Sequence, residues 1–479
     1  KEEIESLIGD ETIIIDAADR TVLPGFIDAH THIAWTGLNK IFLDLRETKS
    51  LEDVLDLVTK EIQSKDKGEW IIGRAWDQSN WTNQRYITAA DLDPISLENP
   101  VLLRHVSGHS VTVNSFGFER LQLSKKQLGV DLNQNGEITG VLRDVDLSDK
   151  TEIRPTFEMF VNGLKLGMEE ALSLGITSIH DNMTFEVLPA YLHLTQKKEL
   201  PIRVYGIIYE DMLSEAIRIG LERNFGDKWF RIGACKLMTD GAISTRTAYL
   251  YEEYTDKPGE KGFALYDAEK LKEMITRVHE NNLQIAVHAI GDKAISNLIT
   301  AFEENISPEE SKKALHRIEH AEILRYEDIK RAKPFGLIFS MQPNFVWRWG
   351  LVDEDGMYEQ KIGRERTLLS NPFKWVTAED LLLIFGSDGM PLGPIYGIKG
   401  AVFHPSPNLR LSLEDAIKCY TLNPAIASRE EDIKGSLVSG KLADIVILNK
   451  NLDIIESEEF HDVDVDYTIV GGEIKYKKH

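Results

Sequence analysis

Cysteine is almost absent: Cys235 and Cys419 are the only two in 479 residues. That excludes a disulfide framework and suits a reducing compartment. No run approaches ~20 consecutive apolar residues, so no membrane-spanning helix is expected. The opening KEEIESLIGDE has no apolar core like that of a signal peptide, which makes the cytoplasm the expected location. Basic residues are outnumbered, 55 Lys and Arg against 78 Asp and Glu, for a net charge of −23. This disfavours nucleic acid and anionic membranes as partners through a basic surface, and reads as a solvated acidic exterior. Internal repeats, low-complexity tracts and a Gly-rich dinucleotide fingerprint are missing as well.

What remains is the profile of a soluble globular protein, 42% hydrophobic and 28% charged. Short β-branched runs alternate with helical stretches. VLPGFIDAHTH (22–32) is the first run, followed by ITSIHDN (176–182), PIRVYGIIYE (201–210), FRIGACKLMTD (230–240), LQIAVHAI (283–290), HRIEHAE (316–322), GLIFSMQP (336–343) and LLLIFGSDGM (381–390). Eight such units predict an α/β fold, a (β/α)₈ barrel. A doubly wound open sheet ranks second. The long stretch between the first two strands, about 45–155, is expected to be an inserted subdomain within a barrel spanning 23–429. Residues 1–22 and 430–479 are expected to combine into a small β-sandwich domain, whose N-terminal part looks short.

Residues i and i+2 of a strand share a face, so His30 and His32 point together and Thr31 points away. At the C-terminal end of a barrel strand they face the mouth, where two neutral imidazoles can hold a Zn²⁺-like ion. His288, His320, Asp388 and Lys236 each stand near the end of another predicted strand. Such groups are costly to bury unless paired or metal-bound. Lys236 fits two readings: an ordinary pair with Asp240, or a neutral amine that adds CO₂ and bridges two cations as a carbamate. His109, in the insertion, is expected to reach the substrate carbonyl or to bond the local backbone. Asp240 and Gly241 are expected to line the pocket, and His105 to be structural. His180 is expected just outside the ligand set. Arg317 and Glu319 alternate with His320 and are expected to point outward, and Cys235 to pack opposite Lys236. Trp76, Trp81, Trp347 and Trp349 fall in segments that could overlie the mouth; they read either as ordinary packing or as an aromatic wall around a hydrophobic N-substituent, with Trp347 the choice for the latter.

These motifs resemble those of the amidohydrolase superfamily of metal-dependent hydrolases. PGFIDAHTH resembles its first-strand signature, and KLMTDGAISTRTA, VHAIGDKAI, HRIEHAE and FGSDGMP are similar to its family 3, or N-substituted formamide deformylase-like, branch. NPAIAS and GSLVSGKLADIVIL resemble its C-terminal tail. The resemblance implies a barrel with a composite β-sandwich and one or two divalent ions, usually zinc. It implies that His30, His32 and Asp388 hold one ion and that His288 and His320 hold the second. It also implies that carboxylated Lys236 bridges them.

The expected activity is hydrolysis of a C–N bond in an amide, N-substituted formamide, carbamate or cyclic amide, with Asp388 shuttling the proton. A heterocyclic deaminase on the same fold, an ester-cleaving enzyme and a non-catalytic scaffold are the alternatives. The expected partner is a small-molecule substrate, and homo-oligomerisation stays open.

Overall fold

Eight short segments whose residues are buried on both faces form a parallel sheet, as the run of Val, Ile and Ala in QIAVHA requires. The computed structural model describes residues 6, 8–106, 110–147, 149–350, 356–452 and 457–478. The strands are β1 (Phe26–Thr31), β2 (Ile176–Met183), β3 (Arg203–Tyr209), β4 (Phe230–Met238), β5 (Gln284–Ala289), β6 (Arg317–His320), β7 (Ile338–Met341) and β8 (Leu383–Phe385). They pair in sequence order, each parallel to the next. The ring closes where Asp388 N donates to His30 O at 2.8 Å. A Cβ on Gly386 would lie 2.4 Å from His30 N, so only glycine lets β8 approach β1 this closely. The fold is the expected TIM-like (β/α)₈ barrel.

The helices are built to cover that sheet. Ala268–Glu280 buries Leu271, Met274, Ile275 and Val278, one stripe at i, i+3, i+4 and i+7, and Asp267 caps it by accepting from Lys270 N at 2.8 Å. Among the described residues no helix is long and apolar enough to cross a membrane.

A second sheet joins the two chain ends. Val22–Pro24, Ile445–Leu448, Val465–Val470 and Glu473–Lys477 pair antiparallel in that order. It is tied to the barrel by a buried bidentate pair, Arg203 to Asp444 at 2.7 and 2.9 Å. Residues 33–167 with 189–193 form a separate compact unit. This unit carries a six-stranded sheet with Leu43–Asp44 at one edge and Val130–Leu132 at the other. Trp76 and Trp81 belong to its core, their indoles donating to Leu103 O and Thr48 O at 3.2 and 3.1 Å. His105 bonds Gln78 there and packs on Trp76 and Tyr86.

One buried histidine makes the fold pH-sensitive. His404 Nδ1 accepts from Ser406 N at 3.0 Å and Nε2 donates to Ser370 O at 3.2 Å, which fixes a neutral ring. Burial pushes its pKa down to about 4. Between that value and the ~6.5 of an exposed imidazole the unfolded chain binds the extra proton, so stability falls as pH falls through this window. The loss expected from His404 is on the order of 3 kcal/mol by pH 4. Urea titrations of wild type and His404→Gln from pH 7 to 4 should show a shallower acid slope in the variant; equal slopes would overturn the assignment.

Candidate metal centre

The predicted side chains converge at the C-terminal mouth of the barrel. His30 is in β1 and His32 one residue past it; Lys236 is in β4, His288 in β5, His320 ends β6 and Asp388 follows β8. The donor atoms of His30, His32 and Asp388 lie within 4.8 Å of one another, with Asp388 Oδ1 3.2 Å from His32 Nε2 and 3.8 Å from His30 Nε2. Lys236 Nζ stands 3.2 Å from His30 Nε2. The His320 ring centroid lies 4.8 Å from His30 and 4.5 Å from His288.

Surrounding groups fix which imidazole nitrogen each residue presents. His30 Nδ1 donates to Glu319 Oε2 at 2.5 Å, leaving the Nε2 lone pair for the cluster. His320 Nδ1 donates to Gln342 Oε1 at 2.7 Å, and His288 Nε2 to Gly241 O at 3.1 Å. Each ring thus keeps one nitrogen as a donor to the protein and one as an electron-pair donor, the state a metal ligand needs. Burial, reinforced by Lys236, lowers His30 to about 4 and His288 to about 3; burial and the neighbouring His288 hold His320 well down. All three are neutral at pH 7. Burial also lowers Lys236 to about 8, which brings the free amine within reach near neutral pH. For Asp388, burial pulls upward but the His32 hydrogen bond and nearby imidazoles outweigh it, keeping the carboxyl ionised.

The loops are clamped from below. Asp28 Oδ1 accepts from His30 N at 3.2 Å and from Ser387 N at 3.0 Å, binding the ends of β1 and β8 together. Asp240 is buried and accepts from Ile290 N, Tyr249 N and Gly291 N at 2.9–3.0 Å. Among the described residues no salt bridge joins it to Lys236; its work is to set the loop that carries Gly241 to His288.

The arrangement differs from expectation at Arg317 and Glu319 and at Trp347. Arg317 and Glu319 point inward: Glu319 holds His30, Arg317 clasps Glu319, and Arg317 Nη1 donates to His180 Nδ1 at 3.0 Å. The reason is backbone conformation. His320 and Ala321 have φ of 70° and 49°, so the left-handed turn at the strand end brings His320 inward beside a strand whose alternation already aimed 317 and 319 there. His180 lies buried beneath the cluster, at the foot of this chain of contacts. Trp347 does not line the cavity over the cluster. Lys399 stands over its ring, while Phe345 and Trp349, two residues either side, face the cavity. His109 lies outside the described residues.

Sequence reasoning missed Gln342, Glu322 and Tyr358. Glu322 and Tyr358 line the cavity of about 390 Å³ together with the cluster. An Arg and a Glu at i and i+2 in the apolar run HRIEH were the signal for the inward pair, since two opposite charges on one strand face bury best together. Nothing short of tertiary structure brings Tyr358 to Glu322.

A divalent-ion hydrolase barrel is the class that this fold and donor set define. Residues 14–476 match the model of the amidohydrolase family, and the chain belongs to that family. It is 28% identical over 498 residues to YtcJ of Bacillus subtilis (strain 168), which carries the name amidohydrolase, covering 98% of this chain and 91% of that protein. It is 21% identical to N-substituted formamide deformylase of Arthrobacter pascens, covering 99% and 92%. A solved metal-dependent hydrolase from Pyrococcus furiosus superposes with a TM-score of 0.79 at 29% identity, covering 94% of this chain and 91% of that one.

Proposed function

We propose that the protein is a zinc-type binuclear hydrolase that cleaves a non-peptide C–N bond in an amide, N-substituted formamide, carbamate or cyclic amide. The observation that carries this reading is Lys236. It is buried, 3.2 Å from His30 Nε2, and among the described residues it has no salt bridge. Burial disfavours a permanent ammonium in that position, whereas a carbamate on the free amine would add oxygen donors to ions that His30, His32, Asp388, His288 and His320 would hold. Neutral imidazoles with an ionised carboxylate are the donors that suit zinc. Bound there, divalent ions lower the pKa of water toward ~7 and polarise the scissile carbonyl.

The chain's own residues do the rest. Glu319 and Gln342 hold the His30 and His320 rings in one tautomer, so the donor set is organised before substrate arrives. Asp388 Oδ1 accepts the proton of the attacking water and returns it to the departing nitrogen, as its ionised state permits. Asp240 and Gly241 keep His288 aligned. Phe345 and Trp349 exclude water and pack the organic substituent.

The metal-loaded enzyme is to be screened against N-formyl and N-acyl amines, carbamates and amino-heterocycles, with metal content measured on the same preparation. Close to two ions per chain, falling toward one in Lys236→Met, with turnover of amides or carbamates, is expected. One ion per chain and deamination alone would replace this reading with that of a deaminase.

A further inference from the structure

The turn after β8 carries Asp388, and its backbone is held in a costly shape. Asp388 and Gly389 follow one another with φ of 56° and 71°, and this left-handed region disfavours any residue other than glycine. The N–H groups of the turn are met from β1 and from the turn itself. Ser387 N donates to Asp28 Oδ1 at 3.0 Å, Asp388 N to His30 O at 2.8 Å, Gly389 N to Ser387 Oγ at 3.1 Å and Met390 N to Ser387 O at 3.1 Å. Its carbonyls are met by Asn344, the first residue of the helix Asn344–Trp349. Asn344 Nδ2 donates to Ser387 O at 2.8 Å and to Met390 O at 2.9 Å, on either side of Asp388, with a longer contact to Pro391 O at 3.4 Å. Among the described residues no other side chain donates to the Ser387 and Met390 carbonyls.

Asn344 is fully buried, and its Oδ1 has no hydrogen-bond partner among the described residues. An interior amide with an unbonded oxygen is costly, and leucine, close to it in size, would fill the space without that cost. What asparagine supplies and leucine lacks is two N–H donors on one nitrogen, and both are directed at the turn around Asp388. The helix that Asn344 opens presents Phe345 and Trp349 to the cavity, so the turn is tied to the aromatic wall as well as to β1. Resting on the hydrolase reading above, we infer that Asn344 is a positioning residue. It holds the Ser387–Met390 turn in the conformation that sends the Asp388 carboxylate toward His32 Nε2, 3.2 Å away. It acts through Asp388 and is not among the residues that line the cavity.

The test is a double-mutant cycle on the full chain with zinc as the probe. Zinc affinity is read by competition with a chelator for wild type, Asn344→Leu, Asp388→Gly and the pair, and melting temperature is read on the metal-free forms. Glycine at 388 removes the carboxylate and accepts the left-handed φ. Asn344→Leu alone should weaken zinc binding ~10–100-fold, the usual effect of losing a group that orients a ligand, with a metal-free melting temperature close to wild type. In the Asp388→Gly background the same substitution should change zinc affinity by less than about twofold, because the side chain it positions is gone. Loss by the same factor in both backgrounds is the result of a merely structural asparagine and would overturn the inference, as would wild-type zinc affinity in Asn344→Leu. Asn344→Ser, which keeps one donor, should fall between wild type and the leucine variant; if neither variant folds, Asn344 serves the fold alone and the inference fails. Zinc binding is read without turnover, so coupling as expected with no amide or carbamate hydrolysed would defeat the hydrolase reading and leave Asn344 as a positioning residue. A wild type that takes up no zinc would defeat both.

Discussion

Asp388→Asn is expected to lower kcat by about 10²–10⁴-fold, the usual worth of a positioned acid–base group, with a melting temperature close to wild type. The change is nearly isosteric. Asp388 has φ of 56°, a left-handed conformation that asparagine also tolerates, so the turn after β8 survives. Its backbone N–H still donates to His30 O and the ring stays closed. What disappears is a carboxylate oxygen 3.2 Å from His32 Nε2 that can take up a proton and give it back. One anionic donor is also lost from the cluster, so metal content should drop in part rather than vanish. Measuring kcat, metal content and melting temperature on one preparation separates the two effects. An Asn variant saturated with metal and turning over near the wild-type rate would remove Asp388 from the proton path.

The fold was legible because a parallel barrel writes itself in a simple code. Each strand is buried on both faces, so it appears as a short apolar run, and each run here ends in the polar residues of the mouth. The donors were legible for the same reason, since histidine and lysine at the ends of apolar strands have few inexpensive explanations. Two kinds of information were hidden. The first was backbone conformation at a strand end. Alternation counted from His320 sends Arg317 and Glu319 outward, and only the left-handed φ at His320 and Ala321 breaks that count. The second was anything that depends on a partner distant in sequence and without a strand to fix its direction. Gln342 reaches His320, Tyr358 reaches Glu322, and Trp349 rather than Trp347 faces the cavity, because of where short helices and loops land. In the six-residue helix Asn344–Trp349 a shift of two positions turns a side chain by more than half a turn, which pattern alone does not resolve.

Glu319→Gln is expected to cost about 3–5 kcal/mol of stability and, separately, to weaken metal binding ~10–100-fold. Glu319 and Arg317 are both fully buried. Glu319 accepts from Arg317 through two hydrogen bonds and from His30 Nδ1 through a third. Burial works to raise the Glu319 carboxyl, and Arg317 and His30 overcome it, so the group is an anion in the folded protein. A neutral amide leaves Arg317 as an uncompensated buried cation, which is the source of the stability loss. The amide also offers one acceptor where the carboxylate offers two, so either Arg317 or His30 loses its partner. If His30 loses it, the ring is free to present the wrong nitrogen, and the affinity loss follows from that tautomer rather than from unfolding. Urea titration of the metal-free protein reads the first effect, and competition with a chelator under native conditions reads the second. A double variant, Arg317→Met with Glu319→Leu, removes both charges together. It should regain part of the metal-free stability, because no lone charge remains, while metal affinity stays low, because His30 Nδ1 still lacks its carboxylate. Recovery of metal affinity in the double variant would show that Glu319 serves only to neutralise Arg317, and that His30 needs no acceptor to present Nε2.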